Sequence, residues 1–196
     1  MIAYNEWHIF KEAFDKETCN KIIDLGKDDF ESGQVGDRDE GEVDKDRRNS
    51  DIKWLTGHRW LIDLLLPYID SANESAKWKY DVRCLGSLQL TRYEKDGFYD
   101  WHKDGFGDHT VKQEYGNDPN KYVRKLSATV LLNDNYEGGE FQFASYEKTR
   151  CVISTPEFNT VGSIVVFPSF MEHRVAHVIK GTRYSLVAWF LGPPFK

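Results

Sequence analysis

Residues 162–190 read GSIVVFPSFMEHRVAHVIKGTRYSLVAWF and carry most of the information about how this chain folds. Residues 163–167 form an apolar, β-branched run between a glycine and a proline, which is typical of a buried strand. Two further apolar runs, 175–178 and 182–190, lie on either side of Lys180-Gly181 and indicate a β-hairpin. We therefore expect consecutive antiparallel strands here.

The length of the hairpin loop determines which side chains share a face. A loop of residues 179–181, with Gly181 in the left-handed conformation, would set His177 opposite Arg183. A loop of Lys180 and Gly181 alone would turn His173 and Arg183 to opposite faces unless a bulge intervened. We expect the three-residue loop, which predicts one inward face made of His173, Val175, His177, Arg183, Ser185, Val187 and Trp189.

Upstream, short strand-like runs alternate with turn signals from Lys79 onward. The runs are residues 80–85, 87–93, 126–132 and 140–144. Such spacing predicts an antiparallel double-sheet barrel of the jelly-roll type, whose mouth is a natural ligand cavity. The fold class expected is α+β, mainly β.

Two helices are predicted before these strands. Asp15 is a suitable N-cap for a helix that runs to about Lys27. A second helix is expected over 58–72, with a kink or an early end at Pro67. Both should cover one face of a sheet, so residues 1–76 would be mainly helical support and flap, and residues 77–192 the jelly-roll core.

Two long segments have little periodic structure. Residues 33–50 are charged and poor in apolar side chains, and we leave open whether they form a solvated linker or a flap over a substrate. Residues 104–125 carry three glycines, and we expect them to fold over the substrate, because loops of that length inside a compact domain are usually functional.

Composition limits the class of protein. With 196 residues and 40% hydrophobic content we expect a single domain. A net charge of −6 disfavours a nucleic-acid partner. Three widely spaced cysteines predict neither a disulfide framework nor a zinc ribbon, and we expect no membrane-spanning run and no apolar signal region. These features indicate a reducing, cytoplasmic compartment.

A possible metal site lies in residues 101–104, Trp-His-Lys-Asp. Residues i and i+2 of a strand project to the same face, so His102 and Asp104 can present two ligands to one ion. His173, shortly after the buried run, is the best candidate for a third ligand. Two imidazoles and one carboxylate can hold a divalent iron on one triangular face and leave the opposite positions open.

Arg183 suggests what occupies those open positions. A buried guanidinium without an anionic partner is costly, and its fork matches a carboxylate in bidentate fashion. A co-substrate with a carboxylate and a keto oxygen on iron, and a second carboxylate on Arg183, would use both features. 2-Oxoglutarate is such a molecule.

Over about residues 80–190 the sequence resembles the 2-oxoglutarate- and iron-dependent dioxygenases of the prolyl 4-hydroxylase and PKHD type. The resemblance implies a double-stranded β-helix that is a cupin-like jelly roll, with Fe(II), 2-oxoglutarate and O2 as requirements, and ascorbate as a further reductant. It also implies the roles of the site residues, with iron on His102, Asp104 and His173 and the co-substrate on Arg183, Tyr93, Trp189 and Ser185. The matching stretches are 93–97, 102–104, 132–134, 136–141, 167–168, 173, 181–184 and 189.

The resemblance also implies a substrate. Residues 48–54 resemble an Arg-x-x-x-Ile-x-Trp segment of peptidyl prolyl hydroxylases, and Arg124 matches an arginine ahead of the strand predicted over 126–132. Both regions lie near the peptide substrate in those enzymes, so the resemblance implies Arg48, Trp54 and Arg124, together with Trp101, as substrate-binding residues. One position departs from the family, since Leu131 stands where some members have a tyrosine that helps to hold 2-oxoglutarate.

The expected activity is hydroxylation of a C–H bond, with a prolyl residue in a protein or peptide as the leading substrate. A hydroxylase of a free amino acid or other small molecule, and a non-catalytic jelly-roll binding module, are the alternatives. The sequence leaves the oligomeric state open.

Overall fold

The computed structural model describes residues 6–27, 29–36, 41–105, 122–147 and 150–195. Their secondary structure is mainly β, with two helices. In chain order the elements are β1 (His8–Phe10), α1 (Lys16–Asp24), β2 (Glu31–Ser32), β3 (Arg48–Asn49), β4 (Asp51–Trp54), α2 (Arg59–Ser75), β5 (Cys84–Tyr93), β6 (Phe98–His102), β7 (Val123–Leu131), β8 (Tyr136–Gly138), β9 (Phe141–Glu147), β10 (Arg150–Ser154), β11 (Ile164–Pro168), β12 (Glu172–Val175), β13 (Val178–Gly181) and β14 (Arg183–Gly192).

Two antiparallel sheets form the body of the structure. The larger has seven strands in the order β1-β11-β7-β14-β5-β4-β2, and the smaller has five in the order β10-β9-β12-β6-β3. Strands β13 and β8 pair separately as a two-stranded ribbon. Most neighbours within a sheet are distant in sequence, so the fold depends on long-range pairing.

The two helices pack on the outer face of the seven-stranded sheet, as predicted. Apolar side chains of both helices join those on the outward face of β5, β7, β11 and β14 in one buried cluster. Helix α1 begins after Asp15, whose carboxylate accepts a 2.7 Å hydrogen bond from the backbone N–H of Thr18. Of the two alternatives predicted at Pro67, the early end is wrong, because Pro67 lies inside a helix that continues to Ser75, and the kink stays a prediction.

The predicted hairpin over 175–190 is also wrong. β12 pairs with β6 and β9 in the smaller sheet, β14 pairs with β5 and β7 in the larger one, and β13 pairs with β8 between them. Gly181 does have the predicted left-handed conformation, with φ +80, but it leads the chain from the β13–β8 ribbon into β14 of the larger sheet. A glycine is expected at a tight turn in a β-hairpin and also at a turn that leads into another sheet. The local sequence therefore does not distinguish between the two.

The strand bounds differ from expectation at one instructive place. The two runs predicted over 80–93 are joined in the single strand β5 (Cys84–Tyr93). In the pairing with β14, Ser87 faces Trp189 and Leu85 faces Phe190, so β5 contains one extra residue, Gly86, between the two pairs. This is a β-bulge, and the glycine that suggested a break between strands marks it.

A second buried cluster fills the space between the two sheets and is mainly aromatic. We call it the interior cluster, and it consists of Tyr93, Leu131, Phe141, Phe143, Phe158, Val165, Phe167, Val175 and Val178, with Trp7, Ile9, Tyr99, Tyr136 and Met171 partly buried against it. The inner face of the larger sheet adds polar side chains to this cluster, and the candidate site lies among them.

The segment before β3 is tied to the body of the protein where the structure describes it. The backbone of Val35 pairs with that of Glu42, and the N–H of Gly33 donates to the carbonyl of Ser50 at 2.8 Å. Most of the other long segment, residues 106–121, lies outside the described residues, so the substrate-covering role expected for 104–125 stays a prediction. Among the described helices, none is long and apolar enough to cross a bilayer.

Candidate metal centre

The two histidines of the predicted triad are direct neighbours across a strand pair. His102 on β6 and His173 on β12 are register partners. Each Nδ1 lies against a backbone carbonyl, 2.7 Å from Asp100 O and 2.9 Å from Met171 O. A carbonyl oxygen only accepts, so each Nδ1–H donates and each Nε2 keeps its lone pair for a metal.

Asp104 completes the group just after β6. Its Oδ1 lies 3.8 Å from His102 Nε2 and its Oδ2 lies 3.7 Å from His173 Nε2. The ligand atoms of the three residues all lie within 4.8 Å of one another, so one ion between them can contact all three. The donor set of two imidazoles and one carboxylate fits Fe(II) and leaves open positions.

A bulge in β6 shapes this side of the site. His102 pairs with His173, and Tyr99 pairs with Val175. Tyr99 is three residues before His102, whereas Val175 is only two residues after His173, so β6 contains one extra residue between the two pairs. The extra residue brings Tyr99 to the same face as His102, where the two rings stack with centroids 3.5 Å apart and planes 14° apart. The sequence did not reveal Tyr99, since strict alternation along the strand would have put it on the other face.

The charge states of the ligands suit metal binding. Burial, with a smaller effect of neighbouring His173, lowers the pKa of His102 to about 3, so the imidazole is neutral. Burial alone would raise the pKa of the Asp104 carboxyl. The combined effect of His173, His102 and Arg124 is larger and lowers this pKa below its ordinary value, so the carboxyl stays ionised. Neutral imidazole and ionised carboxylate are the forms that bind a divalent cation.

A set of hydrogen bonds fixes Asp104. The backbone N–H groups of Asp104 and Gly105 both donate to Ser169 O at 3.0 Å, and the nearby hydroxyl of Ser127 helps to lower the pKa of the Asp104 carboxyl. The hydroxyl of Ser127 is also 2.9 Å from that of Ser169. Neither serine was predicted from the sequence, although a small polar residue at an alternate position of an apolar strand was a usable signal for Ser127.

Arg183 lies on the inner face of β14 and is 1% exposed. Its Nη1 donates to Ser185 Oγ at 3.1 Å and its Cζ lies 5.5 Å from the ring centroid of Tyr93, but its Nε has no hydrogen-bond partner. In the part of the chain that the structure describes, no ion pair includes Arg183. A buried cation with an unused donor fits an anionic ligand, and the predicted carboxylate clamp is chemically sound.

Three predicted side chains meet at the other end of β14. The Trp189 ring lies 5.9 Å from that of Trp54, and the Arg124 guanidinium is 4.5 Å from the Trp189 centroid. Arg124 Nη1 also donates to the backbone carbonyl of Asp104 at 2.9 Å, so this group borders the metal centre. The indole Nε1 of Trp189 is buried and has no hydrogen-bond partner.

The expected place of Trp189 beside the co-substrate stays a prediction. Six residues of extended strand separate its Cα from that of Arg183 by about 20 Å. Leu131, in the family's tyrosine position, is 1% exposed in the interior cluster and pairs with Ser185, so an apolar side chain takes that position here.

Three further residues do not face the open space around the metal centre. Arg48 is 6% exposed, and all three of its side-chain nitrogens already donate within the protein. Trp101 lies against the guanidinium of Arg174, whose neighbours His173 and Val175 point inward, so Trp101 is on the outer face of the smaller sheet. His177, predicted beside Arg183, is exposed and stacks on Phe98 with centroids 4.2 Å apart.

Comparison with known proteins gives the family. The family model of the 2OG-Fe(II) oxygenase superfamily matches residues 88–191, just over half of the chain. A protein of Synechococcus sp. (strain CC9311) described as a PKHD-type hydroxylase is 27% identical over 199 residues, which cover 93% of this chain and 76% of that protein. A PKHD-type hydroxylase of Hyphomonas neptunium is 33% identical over 88 residues, but these are only 44% of this chain and 37% of that protein.

Solved structures share the architecture. The chain is similar to a prolyl-4-hydroxylase of Pseudomonas putida with a TM-score of 0.66 and 20% identity, over 94% of this chain and 92% of that one. It is also similar to a prolyl hydroxylase of Trichoplax adhaerens in complex with a peptide fragment of hypoxia inducible factor, with a TM-score of 0.63 and 16% identity, over 95% of this chain and 83% of that one. The predicted double-stranded β-helix is thereby confirmed.

The family match, the fold and the His-Asp-His group agree. Fe(II) as the metal, with 2-oxoglutarate and O2 as co-substrates, follows from the family. The chain belongs to the 2OG-Fe(II) oxygenase superfamily.

Proposed function

We propose that this protein hydroxylates a prolyl residue in a protein or peptide, with iron held by His102, Asp104 and His173. The observation that carries the proposal is one interior that combines a ready set of metal ligands with a buried guanidinium lacking an anionic partner among the described residues. Proteins of similar sequence and fold are described as PKHD-type and prolyl hydroxylases, which supports prolyl chemistry.

The protein's own groups divide the work. Arg183 binds the distal carboxylate of 2-oxoglutarate, and Ser185 orients its guanidinium through the 3.1 Å hydrogen bond. Tyr93, 3% exposed beside that guanidinium, lies where its phenol can donate to the same carboxylate. Iron bound at the metal centre would supply the oxidising chemistry, in which O2 and 2-oxoglutarate give succinate and CO2, one oxygen atom entering succinate and the other the substrate C–H bond.

The aromatic interior cluster protects this chemistry. Phe141 and Phe167 both contact the His173 ring, with centroids 5.5 Å and 4.7 Å away. Such walls keep bulk water from the metal and leave the imidazole one orientation. The protein thus supplies orientation and a dry site.

Trp54, Trp189 and Arg124 are the substrate-binding residues that we favour. They meet beside Asp104, at the end of β14 away from Arg183. Two indole faces suit an apolar pyrrolidine ring, and the unpartnered Trp189 N–H can donate to a peptide carbonyl. A peptide partner is further supported by the Trichoplax adhaerens relative, whose structure holds a peptide fragment.

The test is incubation of the protein with Fe(II), 2-oxoglutarate, O2 and a library of proline-containing peptides. We expect a gain of one oxygen on proline, located by tandem mass spectrometry, together with stoichiometric succinate. An Asp104→Ala protein treated identically is the control. Succinate formation with no peptide modified, and a free amino acid oxidised instead, would contradict the prolyl proposal and favour a small-molecule substrate.

A further inference from the structure

The buried side chain of Arg48 touches the metal centre through one aromatic ring. Its Cζ lies 4.4 Å from the ring centroid of Tyr99, which in turn stacks on His102 with centroids 3.5 Å apart. An imidazole at this distance fills one face of the phenol ring, so the guanidinium lies over the other face. Guanidinium, phenol and imidazole therefore form three consecutive layers.

The outermost layer of this stack is held firmly. Arg48 Nε donates to Ser50 Oγ at 2.7 Å, Nη1 to Gln34 O at 3.0 Å and Nη2 to Gln89 Oε1 at 2.9 Å. None of the ion pairs found in the described ranges includes Arg48, so neutral acceptors and the face of Tyr99 stabilise the buried cation. A guanidinium bound at every nitrogen has one orientation.

The backbone of β3, β6 and Gly33 holds Arg48 and Tyr99 in the stack. Arg48 and Tyr99 are register partners in the pairing of β3 with β6. A Cβ at Gly33 would lie 2.6 Å from Arg48 Nε and 2.7 Å from Ser50 Oγ, so only glycine fits there without displacing the guanidinium. The segment that begins at Gly33 thus packs directly against the stack.

The metal ligand at the end of the stack needs such a support. The hydrogen bond from Nδ1 to Asp100 O holds one edge of the His102 ring and leaves it free to tilt about that edge. Flat contact with Tyr99 removes the tilt and keeps Nε2 directed at the metal position beside Asp104 Oδ1.

We propose that Arg48 is a positioning residue for His102, acting through the ring of Tyr99, and that it does not contact the substrate. The inference rests on the proposed function, because it takes His102 as an iron ligand. It also ties Gly33, Gln34 and Ser50 to the metal site, since a displacement of these residues would reach His102 through Arg48.

The test uses Co(II), whose visible spectrum reports ligand geometry, on the purified full chain. Three variants disturb the stack at different layers: Arg48→Lys, Tyr99→Leu, and Gly33→Ala, which displaces the guanidinium without removing a functional group. We expect each to weaken Co(II) binding about tenfold, the lower end of what loss of a ligand's supporting partner costs, and to shift the ligand-field bands. Tyr99→Phe, which keeps the ring, should restore the wild-type spectrum.

Asn49→Ala is the matched control. Asn49 neighbours Arg48 on β3, but its side chain donates to Asp96 O, away from the stack, so the spectrum should not change. A merely structural role for Arg48 would lower the melting temperature without shifting the bands. If Arg48→Lys does not fold, Gly33→Ala and Tyr99→Leu decide the question.

The outcomes separate this inference from the function on which it rests. Wild-type protein that binds no Co(II) would overturn the proposed function itself. Wild-type binding that Asp104→Ala abolishes, with Gly33→Ala, Arg48→Lys and Tyr99→Leu unchanged in affinity and spectrum, would overturn the positioning role alone. A rise in peptide KM for Arg48→Lys with an unchanged spectrum would likewise refute it and assign Arg48 to the substrate.

Discussion

The two faces of β14 differ more than any other pair of surfaces in the described structure. Leu186, Ala188 and Phe190 point outward into the apolar cluster beneath the helices, and all three are fully buried. On the inward face, Arg183 and Trp189 are also buried, yet each has a nitrogen with no hydrogen-bond partner. Side chains alternate along β14, so its outward face packs in the apolar core and its inward face carries the polar groups of the site. The buried nitrogens without a partner indicate that the inward face binds a ligand.

The largest expected effect comes from removing a metal ligand. Asp104→Ala and His173→Ala should abolish Mn(II) binding in calorimetry, because two donors cannot hold the ion at the same affinity. The unfolding free energy of Asp104→Ala without metal should stay close to that of the wild type, since the outward apolar cluster is untouched, whereas His173→Ala also loses the packing of its ring against Phe141 and Phe167. Asp100→Ala, an exposed carboxylate near the site, is the control that should bind Mn(II) normally. Retention of tight binding by both ligand variants would refute the site.

Phe190→Ala tests whether the outward face of β14 contributes to stability alone. Phe190 is 0% exposed in the cluster beneath the helices, and removing such a ring typically costs about 3–5 kcal/mol of unfolding free energy. Urea denaturation should show that loss, while the folded fraction binds Mn(II) with unchanged affinity. Ile153→Ala, at a side chain that is 52% exposed, should change stability by less than about 0.5 kcal/mol. A parallel loss of metal affinity in Phe190→Ala would show that the two faces are not independent.

Arg183→Leu tests the inward face of β14, because it should weaken 2-oxoglutarate binding without lowering the free energy of unfolding. The dissociation constant of 2-oxoglutarate, measured by calorimetry with Mn(II) present, should rise about 100-fold, since a hydrogen bond to a charged group contributes about 1.5–3 kcal/mol. The free energy of unfolding without ligand should hold or increase, because a buried cation without a carboxylate partner is costly. A large loss of stability would instead mean that Arg183 supports the fold. Lys180→Leu, at an exposed cation on β13, should leave 2-oxoglutarate binding unchanged.

Ser127→Ala is the mildest of these changes. It removes the hydroxyl that helps to lower the pKa of the Asp104 carboxyl and that hydrogen-bonds with Ser169, and loss of such a support should weaken Mn(II) binding about tenfold. Ser185→Ala, another buried serine on the inward face, should leave Mn(II) binding intact and weaken 2-oxoglutarate binding, because its partner is Arg183. Identical effects of the two variants on the metal would argue against separate roles.

The sequence predicted the chemistry better than the connections between strands. His102, Asp104 and His173 meet as expected, and Arg183 is buried with an unused donor as expected, because residue type and spacing constrain a ligand set strongly. The hairpin over 175–190 failed, since Lys180-Gly181 specifies a turn but not which sheet the next strand joins. Strand partners here are distant in sequence, and no local pattern encodes them.

Two features of the site were beyond sequence reasoning for a similar reason. Tyr99 reaches the metal face only through a bulge that pairing with β12 reveals. Arg48 was assigned to the substrate by resemblance, whereas its burial follows from contacts with Ser50, Gln34 and Gln89, three residues on separate parts of the chain. The cytoplasmic location and the ascorbate requirement stay predictions.

β14 is the fourth of the seven strands of the larger sheet, with three strands on each side of it. A central strand opens late when a protein fluctuates, so Arg183 is attached to a strand that two neighbours hold in place from Ser185 onward. Trp54, by contrast, stands on β4, next to the edge strand β2. Evolution can therefore remodel the entrance for new substrates while the clamp for the shared co-substrate keeps its dimensions.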